Sequence, residues 1–437
     1  MEFVADLHLH SKYSRAVSKD MNLQNMDLWA RKKGLDILSA CDWTHPLWFR
    51  EISSELEEAE EGLFRLKSDK SSKTRFILSV EISSIYTQNG KVHRIHNLVF
   101  SPSLKTADKI SKELIKRGSN LSSDGRPIIG LSSISLIELV LGIDDKGLII
   151  PCHAWTPWFS LYGSNSGFDS IDDCFGKYAK YIYGIETGLS SDPFMNWQIK
   201  ELENRSILSF SDAHSMAKMG REATVFKSEK SKISYNDISD AIKKQSKTTQ
   251  IHYTLEFYPE EGKYHYTGHR NCNFVQDPKQ TKLNGNICPV CKRPLTVGVM
   301  HRVEELAQSK KLPNEVFKVN PNGLKWIIDK NKKHPPFVKL VPLNEIIAES
   351  LSSTVASLKV KNLFDDLCNK FESEMNILLK VPISEIEKTA GERVAEGVDR
   401  VRKGNIVILP GFDGQYGIVK IWDDKKTSEK QKEAVSQ

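Results

Sequence analysis

The chain has 437 residues, which at about 100–200 residues per domain predicts three domains rather than one. Hydrophobic residues at 39% and charged residues at 27% exclude a disordered chain, and no run approaches the roughly 18 uninterrupted apolar residues of a membrane span. No secretion signal opens the sequence and the seven cysteines are odd in number, so a cytosolic protein with reduced or metal-bound thiols is expected; a net charge of +6 permits a polyanionic partner without requiring one.

In chain order, short β-branched runs alternate with amphipathic segments from residue 1 to about 226, the pattern of repeated βα units. Seven strands are predicted over residues 3–10, 35–42, 76–82, 95–100, 148–154, 182–187 and 207–212. A charged helix is expected over 51–67 and a surface loop over 67–73. A single polar helix over 228–250 would carry the chain out of a first domain, 1–228. Residues 251–302 have little periodicity and hold most of the remaining Cys and His, which suits a small domain built on a metal. Helical patterns return over 303–422, with a hairpin formed by 406–410 and 416–421 around Asp413 and Gly414; the tail 423–437 is polar and expected to be disordered.

Unusual residues recur toward the C-terminal halves or ends of those strands: His8, His10, Asp42, Glu81, His96, His153, Glu186 and Asp212. In a βα barrel that rim carries the sites, because the loops leaving the strands vary while the scaffold stays rigid. His8 and His10, two apart on a strand, share a face. One such pair is weak evidence for a metal. Asp42 with His45, Glu81, His96 with His153, and Asp212 with His214 add the imidazoles and carboxylates that suit zinc, manganese or iron, and a carboxylate such as Glu81 or Asp212 can bridge two ions.

The order His-x-His, Asp then His, Glu, His, His, Asp-x-His resembles the polymerase and histidinol phosphatase (PHP) family. That resemblance implies a distorted seven-stranded βα barrel holding up to three metals, an α/β fold. His8 and His10 would bind the first ion with Glu81 bridging, and Glu81, His96 and His153 the second. Asp212 with His214 would close the cluster, and Asp212, His10 and Glu81 would serve catalysis. Two departures stand out: Trp43 and Thr44 separate Asp42 from His45, and Tyr13, Ser14 and Arg15 occupy the stretch where a further ligand is usual.

His269 and Cys272 form a His-x₂-Cys pair, and Cys288 and Cys291 a Cys-x₂-Cys pair fifteen residues on, the spacing of a tetrahedral zinc ribbon. His265 could replace His269 as the fourth ligand. A closed site of four protein ligands has a structural role.

A PHP-like barrel, an inserted zinc ribbon and a basic helical C-terminal part together resemble the endonuclease Q family. The pieces that carry this are residues 42–46 (Asp-Trp-Thr-His-Pro), 153–160 (His-Ala-Trp-Thr-Pro-Trp-Phe-Ser), 211–214, 220–224, 288–291, 301–305 and 410–414. The resemblance implies metal-dependent hydrolysis of DNA 5′ to hypoxanthine, uracil, xanthine or an abasic site, with Zn²⁺ in the cluster and Mg²⁺ or Mn²⁺ added for activity. It also implies sliding-clamp contact, although no convincing clamp-binding peptide is present. A lesion must be inspected outside the stack, so Trp155, Trp158, Phe159 and Tyr162 are candidate pocket walls, and Arg221, Arg270, Arg293 and the lysines near 310 candidate phosphate contacts. The competing functions are a small-molecule PHP phosphatase, which needs neither groove nor ribbon, and a non-catalytic DNA-binding scaffold.

Overall fold

The computed structural model describes residues 1–307 and 315–423, and the chain divides into two compact units. The first comprises Met1–Ala154, Trp158–Gly188 and Glu201–Leu255. Here the seven predicted strands form a ring. Glu2–Asp6 pairs in parallel with Ile37–Ser39, which pairs in parallel with Arg75–Gln88. Lys91–Ser101 runs antiparallel to Arg75–Gln88 and to Leu148–Pro151. The backbone of Ala154 then donates to the carbonyl of Glu186 at 3.0 Å, and Gly184–Glu186 pairs in parallel with Ser206–Leu208. A bridge between Leu9 and Ala213 closes the circle.

One strand is reversed, and the reason is local. Asn89 and Gly90, at φ of 52° and 76°, make a two-residue turn of the left-handed kind that matches strand twist, so Lys91–Ser101 returns directly along its predecessor. His96 was expected at a strand's C-terminal half. It stands instead mid-strand, and reaches the metal-facing side because its strand points the other way.

Helices pack outside the ring, and their ends are written in the sequence. Asn22, Ser103 and Ser132 cap Leu23–Lys33, Leu104–Lys116 and Ser133–Ile143, and Gly34 closes the first in the left-handed conformation. The core inside is formed by Phe3, Leu7, Ile77, Phe100, Ile150 and Phe210, all buried. Two expectations are corrected. Residues 51–67 are a helix only to Glu55, after which Leu56–Glu60 and Leu63–Leu66 form a hairpin. Residues 228–250 hold a shorter helix, Tyr235–Ile242, with a capping box on Ser234, and the following strand Thr249–Glu256 pairs back onto Ala223–Ser228. The first unit therefore continues past residue 228.

The second unit comprises Trp155–Pro157, Leu189–Lys200 and Glu256–Gln437. It holds the small hairpin Thr267–His269 with Phe274–Gln276 and an unpredicted antiparallel sheet of Glu315–Val319, Lys325–Asp329 and Phe337–Lys339. Helices from Leu343–Ser350 to Glu392–Lys403 follow, and Val407–Leu409 with Ile418–Lys420 is the expected hairpin. Arg402 is buried, and its guanidinium donates to the carbonyls of Ile377, Leu378 and Val381, groups that the end of helix Glu374–Leu379 would leave unpaired. The tail beyond residue 423 lies outside the described residues. No helix among the described residues is long and apolar enough to cross a membrane.

Candidate metal centre

Four side chains from two strand ends and one long hairpin meet at the barrel rim: His8 and His10 after the first strand, Asp212 after Ser206–Leu208, and Glu81. His10 Nε2 lies 2.9 Å from Asp212 Oδ1 and 3.3 Å from Glu81 Oε2, while His8 Nε2 lies 3.7 and 3.8 Å from the same two oxygens. Ligands about 2.1 Å from one ion in a tetrahedron stand about 3.4 Å apart, so this spacing fits a shared cation. His8 Nε2 is buried and has no hydrogen-bond partner among the described residues, as a ligand nitrogen would be.

Glu81 also faces a second group with its other oxygen. Its Oε1 lies 3.0 Å from His153 Nε2 and in close contact with His96 Nδ1, and the two imidazole nitrogens are 3.3 Å apart. One carboxylate thus presents one oxygen to each of two ligand groups, the arrangement of a bridging ligand.

The electrostatics follow from burial among opposite charges. Burial alone would lift the Glu81 carboxyl, but His96, Arg126, His10 and His153 overcome it and hold the group well below the usual carboxylate range. For His8 and His10 burial disfavours the proton, yet Glu186 and Asp212 beside His8, and Asp212 and Asp42 beside His10, hold both well above the usual imidazole range. Cations compete with those protons, since a ligating imidazole is neutral. Three residues of the site, Asp42, His153 and Asp212, have positive φ values of 53°, 29° and 47°.

Not every predicted ligand enters the two groups. Asp42 meets the far nitrogen of His10 at 3.3 Å, and its other oxygen accepts from the backbone and hydroxyl of Ser11 and the hydroxyl of Ser14. It orients His10. His45 caps helix Pro46–Glu55 and stacks on Tyr13, with ring centroids 4.5 Å apart; the inserted Trp43 and Thr44 carry it away. His214 turns Nδ1 to the backbone oxygen of Asp212 at 2.9 Å. Glu186 holds His8 Nδ1 at 2.9 Å and accepts from the His153 backbone, and with His8 and Cys152 it forms a third group whose ligand atoms lie together. Sequence reasoning missed Asp6, which accepts from Ser211 and Gly220 and so anchors the Asp212 loop; burial pushes its carboxyl up to about 6. It also missed Arg126, whose Nη1 is 3.2 Å from Glu81 Oε2. A lone Arg in a loop carries no pattern.

In the second unit His269, Cys272, Cys288 and Cys291 bring their ligand atoms together, with Cys291 Sγ 3.3 Å from His269 Nδ1. Burial would raise the Cys288 thiol, but backbone N–H groups of Cys291 and Val290 and the side chain of His269 bring it down to about 6, which favours a ligating thiolate. His265 is not part of this group. It is buried on the wall of a separate cavity of about 410 Å³ within the same unit, shared with Asp192, Tyr258, Glu260 and Lys339.

The candidate DNA contacts separate as well. Trp155 and Tyr162 are buried, with the indole N–H donated to Asn196 and the phenol to Glu201, so both pack the interior. Trp158 and Phe159 are half-buried, and Phe159 lies against His96 with centroids 4.9 Å apart. Arg221 donates to the Ser211 carbonyl behind Asp212, whereas Arg270 and Arg293 are exposed. Lys310 and Lys311 lie outside the described residues.

A family model described as the MJ0043 C-terminal domain matches residues 342–405. The uncharacterized protein MJ0043 of Methanocaldococcus jannaschii is 33% identical over 271 residues, 61% of this chain but only 31% of that longer protein. Two solved structures match from end to end. The lesion-specific endonuclease PfuEndoQ of Pyrococcus furiosus is 30% identical with a TM-score of 0.80, covering 98% of this chain and 97% of that one. Endonuclease Q in complex with a 27-mer duplex carrying an abasic lesion at its active site is 30% identical with a TM-score of 0.81, covering 98% of each. A likeness of this extent, over barrel, ribbon and helical region together, makes the chain a member of the endonuclease Q family of nucleases.

Proposed function

We propose that this protein is a DNA repair endonuclease that hydrolyses the phosphodiester 5′ to a deaminated base or an abasic site. The observation that carries this is Glu81, with one oxygen toward His8, His10 and Asp212 and the other toward His96 and His153, in a chain that matches a lesion-bound relative along its whole length. Divalent ions held by these residues would supply Lewis acidity and a nucleophile available at neutral pH. Asp42 and Glu186 keep the two histidines of the first strand in one orientation, and Asp212 presents a half-open carboxylate at the mouth of the group. The proposed metals are zinc in the ribbon and zinc with magnesium or manganese at the rim. The proposed partner is DNA, with the work done in the cytoplasm at the nucleoid; sliding-clamp contact finds no support in the comparisons.

The test uses end-labelled duplexes with hypoxanthine, uracil, an abasic site or no lesion, with and without divalent metal. A single metal-dependent nick 5′ to each lesion, leaving a 5′-phosphate on the lesion-bearing end, is expected; a nick on the other side, or none, rejects the assignment.

A further inference from the structure

Arg126 comes from a loop fixed at every point. The backbone N–H of Gly125 donates to the Tyr13 carbonyl at 3.0 Å, and that of Arg126 to Asp124 Oδ1 at 3.2 Å. The carbonyl of Pro127 accepts from the Ser83 backbone, and Ile128–Ile129 then pairs in parallel with Ser83 and Ser84, two residues beyond Glu81. Gly125 allows the approach: a Cβ there would fall 2.5 Å from Asp42 Oδ2 and 2.4 Å from Ser14 Oγ. The guanidinium is therefore delivered by a rigid support to the side of the bridging carboxylate.

Only one of its five N–H groups has a partner among the described residues, Nη1 to Glu81 Oε2 at 3.2 Å. That oxygen is the one facing His8, His10 and Asp212. The side chain is 27% exposed, so a ligand arriving from solvent can reach it beside Glu81. Among the described residues no other Arg or Lys pairs with Glu81, Asp212 or Glu186. A guanidinium presents a planar fork that matches phosphate oxygens and keeps its charge at every working pH.

We propose that Arg126 binds a non-bridging oxygen of the scissile phosphate and holds it through the reaction, a role that goes beyond balancing the charge of Glu81. The inference rests on the rim being the phosphodiester site. In that reaction the bond from the water oxygen to phosphorus forms and the bond from phosphorus to the 3′ oxygen breaks. The electron pair leaves with the 3′ oxygen, which takes up a proton in place of the one the water loses, and nothing is oxidised or reduced. Negative charge grows on the non-bridging oxygens meanwhile, where fixed donors act most strongly.

The experiment compares wild type with Arg126→Met and Arg126→Lys. Arg126→Met is expected to lower kcat about 100- to 1,000-fold and to raise KM about two- to fivefold, with melting temperature and bound metal unchanged, and Arg126→Lys to recover part of the loss. Added guanidinium is expected to restore at least about tenfold of the activity lost in Arg126→Ala. A second readout needs no turnover: on an uncleavable lesion duplex whose scissile 3′ oxygen is replaced by a methylene group, the slope of log affinity against log salt should fall by about 0.9 in Arg126→Met, the signature of one lost phosphate contact. A variant that sheds its metal in proportion to its lost rate, or keeps the wild-type salt slope, overturns the proposal. If wild type cuts no lesion the assignment of function fails, yet the salt slope still decides whether Arg126 meets a phosphate.

Discussion

Asp212→Ala is expected to reduce lesion-directed cleavage by about a thousandfold or more while DNA binding changes by no more than a few-fold. Asp212 is the only carboxylate of its ligand group whose side chain is partly open, at 26% exposure, so it stands where substrate and water arrive. Its Oδ1 lies 2.9 Å from His10 Nε2 and 3.7 Å from His8 Nε2, and removal leaves those two imidazoles with Glu81 as the one anion they still share among the described residues. The backbone is held independently, by Asp6 accepting from Ser211 and by His10 N–H donating to Ala213. The fold should therefore survive the change. Single-turnover rates with anisotropy binding to the same duplex check this, and unaltered turnover would take Asp212 out of the chemistry.

Cys288→Ala should act through stability. The four ribbon ligands come from two tight turns with almost no apolar interior of their own; Leu283 and Val290 are exposed at 84% and 67%. What holds such a segment is the ion, and structural zinc contributes about 10–16 kcal/mol of apparent binding energy in small isolated domains, comparable with the whole stability of an ordinary one. The variant is expected to lose one equivalent of zinc, to melt earlier by at least about 5 °C, and to become protease-sensitive around residues 267–295. The rim metals should remain. Unchanged zinc content and melting would show that the ribbon folds on other grounds.

Much of this arrangement could be read from the chain because its parts obey short-range rules. The seven strands of the ring, the ribbon spacing of His269, Cys272, Cys288 and Cys291, and the hairpin about Asp413 and Gly414 all rest on patterns within a few residues. The ring's reversed member carries a strong hairpin signal in Asn89-Gly90, but the βα repeat on either side of it has the pattern of parallel strands. The exchange of segments between units, with Leu189–Lys200 belonging to the second, leaves no local trace. At the site, residue type alone does not separate a ligand from the group that steers it. Asp42 has the chemistry of a ligand and lies beside the ligands, but its oxygens are taken by His10, Ser11 and Ser14. Arg126 was invisible because its significance lies wholly in what Gly125 permits.

The left-handed backbone at Asp42, His153 and Asp212 has a consequence for descent. An L side chain in that region costs about 1–2 kcal/mol, and glycine would remove the penalty at all three places. At Asp42 that gain is offset, because its carboxylate accepts from Ser11 and Ser14, but at His153 and Asp212 a lineage selected only to keep its shape has reason to drift toward glycine. A glycine at position 153 or 212 of a relative is then the expected mark of a copy that has abandoned the chemistry.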